Sequence, residues 1–137
     1  MPAITVSTIV NAPIARAWAV FTAPDHITQW NYASPEWCCP SARNDLRVGG
    51  EFSSRMEARD GSIGFDFTGV YTSVSALEQF TYILGDERRV TVTFEAISSD
   101  QTRVTEVFDP ETVNSEELQR GGWSAILENY RTYTETP

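Results

Sequence analysis

From residue 48 to residue 108, apolar side chains recur at every second position in short runs broken by polar turns. A period of two sends successive side chains to opposite faces of a strand. This stretch must therefore form a sheet with one apolar face, and something must cover that face. Phe52, Ser54, Met56 and Ala58 alternate with Glu51, Ser53, Arg55 and Glu57. Asp60-Gly61 is a hairpin turn. Phe65, Phe67, Gly69 and Tyr71 then alternate with Asp66, Thr68 and Val70. Further strands are expected at 78–84, 89–97 and 102–108, with Val90, Val92 and Phe94 on the apolar face and Ser99-Asp100-Gln101 as a turn. The connections are short, so the pairing is antiparallel.

The cover comes last in the chain. A helix is expected over 115–134, with Asn114 as N-cap and Glu117 completing a capping box. Glu116 and Glu117 suit the positive end of its dipole. Leu118, Gly122, Ile126, Asn129 and Tyr133 form one row, and Trp123, Leu127 and Tyr130 the row beside it. So wide an apolar stripe fits a helix gripped by a concave sheet. Gly121-Gly122 costs helix propensity, which a close backbone approach would justify.

Before the sheet, Ile4-Thr-Val-Ser-Thr-Ile-Val10 reads as a first strand with Ile4, Val6 and Val10 on one face. Pro13 suits a helix start. Ile14, Ala17, Trp18 and Phe21 then give a short amphipathic helix. A second short helix at about 24–30 carries Ile27 and Trp30. Residues 31–47 show no period and read as a long connection containing Tyr32, Trp37, Cys38, Cys39 and Arg43. The fold class is α+β: two short helices after the first strand, a curved antiparallel sheet of six or seven strands, and a long C-terminal helix, all in one domain spanning 1–137.

Charge and composition remove several functions. The 137 residues carry a formal net charge of −9. Such a surface repels phosphate backbones and anionic lipid, so neither nucleic acid nor membrane is an expected partner. No basic leader and no bilayer-length apolar run is present, and a cytoplasmic protein is expected. All ten basic residues are arginine. Without lysine there is no imine chemistry and no lysine-bound pyridoxal phosphate. His26 is the single imidazole, and it reads as a surface or capping residue. Cys38 and Cys39 are adjacent, supply no disulfide framework and read as reduced, inert thiols without metal. No nucleophile-elbow pattern supports a hydrolytic triad.

Several segments together resemble a known family. They are Val10-Asn11-Ala12-Pro13 with Trp18, Pro24-Asp25-His26-Ile27 with Trp30, Asn44-Asp45-Leu46-Arg47-Val48-Gly49-Gly50 with Phe52, and Gly69-Val70-Tyr71. Val104-Thr105-Glu106-Val107-Phe108 and Gly122-Trp123 with Ile126-Leu127 complete the set. In this order they resemble the START-like helix-grip superfamily, also called SRPBCC or polyketide cyclase-like. More narrowly, they are similar to the C-terminal domain of the activator of the heat-shock-protein-90 ATPase. Relatives read Trp-His-Cys-Pro where this chain reads Trp37-Cys38-Cys39-Pro40. The resemblance implies a helix-grip fold with a cavity between sheet and helix. It implies a small apolar or amphipathic ligand, no cofactor, and a monomer or homodimer. A chaperone partner is a further implication.

On that fold, the inner aromatic face of Phe52, Met56, Phe65, Phe67, Tyr71, Trp123 and Tyr130 is either packed core or cavity lining. Trp30 and Trp37 join the expected ligand-binding set. Glu106 is the sharpest residue. Val104 and Phe108 must face inward, so alternation turns Glu106 inward too, whereas Glu51, Glu57, Asp66 and Glu95 fall outward. A buried carboxylate must be paired, hydrated or protonated. Three readings stand: a ligand-binding protein; a cyclase, isomerase or hydrolase-type enzyme with Glu106 as acid or base; and an interaction module with a filled core.

Overall fold

The computed structural model describes residues 2–136. Strand β1 (Ile4–Val10) leads into helices α1 (Ile14–Thr22) and α2 (Pro24–Trp30). Six strands follow: β2 (Trp37–Asn44), β3 (Glu51–Ala58), β4 (Gly64–Ser75), β5 (Gln79–Leu84), β6 (Arg89–Ser98) and β7 (Gln101–Phe108). Helix α3 (Glu116–Glu135) closes the chain. The sheet order is β1-β7-β6-β5-β4-β3-β2, antiparallel throughout. This is the α+β helix-grip architecture. The seven-stranded sheet curls, and the apolar stripe of α3 lies in its concavity.

The alternation read from the sequence is the alternation of burial. Val90, Val92 and Phe94 are buried along β6, and Phe80, Tyr82 and Leu84 along β5. Trp18 of α1 meets Phe80 and Phe94 edge to face, and Phe21 meets Phe94 edge to face and Phe80 at a tilt, with centroids 5.0–5.9 Å apart. Such pairs add to simple burial. Two glycines are required sterically. A Cβ at Gly50 would run into the Asp45 carbonyl in the turn entering β3. One at Gly69, which faces Phe52 across β3 and β4, would meet the Phe52 ring.

The structure corrects four expectations. First, 31–47 is not a structureless connection: β2 pairs with β3. Its pattern is irregular because Pro40 lacks a ladder donor and the register shifts between Cys38 and Ser41, as an edge strand permits. Second, the N-cap of α3 is Ser115, not Asn114; its hydroxyl accepts from the Leu118 N–H at 3.0 Å. Third, Leu118 is 64% exposed, whereas Gln119 is buried in its stead. The Gln119 amide holds the preceding loop, donating to the Glu111 and Asn114 carbonyls and accepting from the Glu111 N–H. Fourth, Gly121 and Gly122 make no close approach: a Cβ at either would meet nothing within 4 Å.

Candidate functional site

The concave face of the sheet and α3 do not meet everywhere. Between them, α2 and the end of α1 lies a cavity of about 250 Å³, partly open to solvent. Its wall is mainly aromatic. Phe52, Met56 and Tyr71 come from the inner faces of β3 and β4, with Phe65 and Phe67 nearer the open end. Trp30 reaches it from α2, with its ring N–H anchored on the Val20 carbonyl at 3.0 Å. Trp123 reaches it from α3, stacked on Phe108 with centroids 4.0 Å apart.

Three inward assignments need adjustment. Phe65 is 48% exposed and forms a lip of the cavity rather than part of its floor. Trp37 begins the edge strand, packs against Phe65 at 6.0 Å and does not line the cavity. Tyr130 is fully buried behind the wall, its hydroxyl donating to the Ala17 carbonyl at 2.6 Å. Trp123 and Ile126 are half-buried because their outer edges look into the cavity rather than into packed core.

The wall also contains residues that the sequence reading did not single out: Phe21, Ile27, Asn31, Arg43, Asn44, Ser54, Phe80, Tyr82 and Ile126. Tyr82 was visible as a member of the same alternation as Phe80 and Leu84. Asn44 opens the family-like segment 44–50 but had no periodicity to place it inward, because it belongs to the irregular strand.

Polar groups are few, and most are committed. The Tyr71 hydroxyl donates to Asn44 Oδ1 at 2.6 Å, and Asn44 Nδ2 donates to the Thr22 carbonyl at 2.7 Å. Burial drives the Tyr71 phenol far above its ordinary value. Asn129 of α3 donates to the Tyr32 carbonyl at 2.6 Å. Glu106 itself points into the cavity, 7% exposed, flanked in register by Val6 of β1 and Val92 of β6. Its carboxyl has no hydrogen-bond partner among the described residues. Desolvation alone pushes it up to about 8. The outward acids Glu51, Asp66 and Glu95 are exposed and Glu57 is half-buried. Arg55 pairs with Glu57 and Asp66, and Arg103 with Glu95.

The thiols lie at the edge of this region. Cys39 is buried, and burial pushes its thiol above the ordinary range. Cys38 is half-buried. His26 on α2 meets the Tyr133 hydroxyl of α3 at 2.7 Å and helps to tie those helices together. Among the described residues, no helix is long and apolar enough to cross a membrane.

Known structures share this arrangement. The AHSA1-like protein from Aeromonas hydrophila superposes with a TM-score of 0.87 at 39% identity, over 96% of this chain and 92% of that one. A protein from Cytophaga hutchinsonii gives 0.84 at 46% identity, over 97% and 92%. One from Chromobacterium violaceum gives 0.84 at 20% identity over the whole of both chains, a likeness of fold. No curated protein matches the sequence. Residues 11–135 match the family described as Activator of Hsp90 ATPase homolog 1-like protein, and the chain belongs to that family.

Proposed function

We propose that the protein binds a small apolar or amphipathic molecule inside the cavity between the sheet and α3. The observation that carries this reading is the cavity itself: about 250 Å³ left unfilled at the centre of the fold, walled by aromatic rings. Ligand sites combine such walls with a few placed polar groups. An interaction module would use its outer surface and gain nothing from this space, since an unfilled apolar void costs stability. A chaperone-docking role, which the family's description brings to mind, leaves the cavity unexplained. The volume falls just below the usual range for ligand pockets, which favours compact molecules over long lipid chains.

Native mass spectrometry of the protein purified from its own host tests this. A discrete bound mass that solvent extraction removes is the expected result. A clean unliganded mass, with no rise in melting temperature across a panel of compact apolar compounds, would reject the reading.

A further inference from the structure

Resting on the ligand-binding reading, we propose that Glu106 and Tyr82 form a two-donor site for one carbonyl oxygen, so that the cavity selects an apolar ketone over a hydrocarbon of the same shape. Each residue is 7% exposed and lines the cavity. Neither the Glu106 carboxyl nor the Tyr82 hydroxyl has a hydrogen-bond partner among the described residues. Yet no fully enclosed side-chain oxygen among those residues lacks a partner. Both groups must therefore present their oxygens to the cavity space.

The sheet brings them to one region. Tyr82 on β5 pairs with Val90 on β6, and Val90 pairs with Phe108 on β7, two residues from Glu106. One strand, β6, lies between them, and with the two-residue stagger they stand roughly 12 Å apart at the backbone. Long side chains converging from a concave face close much of that gap. The two groups lie within electrostatic reach of each other but do not bond directly. The space between them is where a ligand atom can sit.

The protonation states make both groups donors. Desolvation keeps Glu106 protonated up to about pH 8 and holds the Tyr82 phenol well above its ordinary value. The surrounding titratable groups do not reverse this: Glu106 and Tyr71 push the Tyr82 phenol further up, and Arg88 opposes them more weakly. Tyr71 of β4 is bonded to Asn44, and Tyr130 of α3 is bonded to the Ala17 carbonyl. Val6 and Val92, which flank Glu106 on β1 and β6, are uncharged. Arg88 pairs with Asp86, and Arg16 donates to the Thr134 and Thr136 carbonyls. Arg43 borders the cavity from the exposed side of β2 and makes no ion pair with Glu106. A carbonyl oxygen has two lone pairs and can accept from both O–H groups. A hydrocarbon leaves both buried donors without an acceptor, which is costly.

The test compares 1-tetralone with tetralin, its hydrocarbon counterpart, by calorimetric titration at about pH 6.5 and about pH 9.5, on either side of the Glu106 transition. At the lower pH, tetralone should bind about tenfold or more tightly than tetralin. At the higher pH, Glu106 becomes an acceptor only, and the preference should shrink. Glu106→Gln keeps a donor, so its preference should persist and no longer change with pH. Tyr82→Phe should lose about tenfold in tetralone affinity and nothing for tetralin. Thermal melts establish that both variants fold. Equal affinity for the two probes, or a wild-type preference unchanged at about pH 9.5, overturns the two-donor site while tetralin binding leaves the ligand-binding reading standing. Binding of neither probe also overturns the two-donor site for an apolar ketone, while the ligand-binding reading is decided by the native mass and the compound panel.

Discussion

Tyr71 and Asn44 tie the cavity wall to α1 with a single chain of hydrogen bonds. The Tyr71 hydroxyl bonds Asn44, and the Asn44 amide bonds the Thr22 carbonyl at the end of α1. The edge strand is thus tied both to the sheet interior and to a helix. Tyr71→Phe removes the donor, leaves Asn44 Oδ1 without its partner, and changes no volume of consequence. A loss of about 1 kcal/mol in chemical unfolding is expected. No loss would mean that the bond is replaced by solvent and that the edge is held by packing alone. Alternation made Tyr71 and Glu106 legible in the sequence as inward residues, because Val104 and Phe108 fix the face of β7 and both prove buried. Their partners were not legible. Tyr71, Tyr130 and Asn129 are polar residues of the inner sheet face and of α3, and each bonds to a group other than Glu106. Which side chains meet across a curled sheet depends on strand offsets and bulges, and a period of two carries no information on either.

The same division holds for whole elements. The strands with strict alternation, the two short helices and α3 were readable from period, proline and turn residues. The strand β2 was not, because Pro40 and the shift after Cys38 erase its period while neighbouring backbone still pairs it. In α3 the apolar rows were legible, but the first turn was not: Leu118 is exposed and Ser115, not Asn114, caps it. That helix offers two opposed tests. Ser115→Ala removes the acceptor for the Leu118 N–H and should cost about 1 kcal/mol. Gly121→Ala and Gly122→Ala add a Cβ where nothing lies within 4 Å, so each should gain up to about 1 kcal/mol from helix propensity. A destabilised alanine variant in urea unfolding would show that the glycines answer a packing demand after all. Stabilised variants with slower ligand exchange would instead assign the pair to opening the helix end beside Trp123.

Across the whole molecule, the pH profile of stability sets one buried carboxyl against many exposed ones. Hydrogen bonding from Ser62 holds the Asp60 carboxyl below its ordinary value, and the Val113 and Asn114 N–H groups do the same for Glu111. Lowered groups stabilise the fold above their unfolded values, and that stability is lost as pH falls through their folded ones. Glu106 works in the opposite sense. Its folded value of about 8 lies above the 4.5 of an unperturbed glutamate, so the unfolded chain releases this proton first. Its contribution is complete below the unfolded value and drains away as pH rises from about 4.5 to about 8. The unliganded protein should therefore be most stable near pH 5 and weaker at pH 8. The difference should be on the order of a few kcal/mol at most, since the carboxyl oxygens still touch the cavity. Glu106→Gln removes the titration and keeps the shape. At pH 5 the two proteins should melt close together, because the folded Glu106 is neutral and the unfolded one is only just past its own value; at pH 8 the glutamine variant should melt higher. Melting curves of both proteins at pH 5, 6.5 and 8 decide the matter. A constant offset between them, or a wild type that gains stability from pH 5 to 8, would show that the Glu106 carboxyl is ionised in the folded protein. The apolar flank of Val6 and Val92 would then not govern its charge.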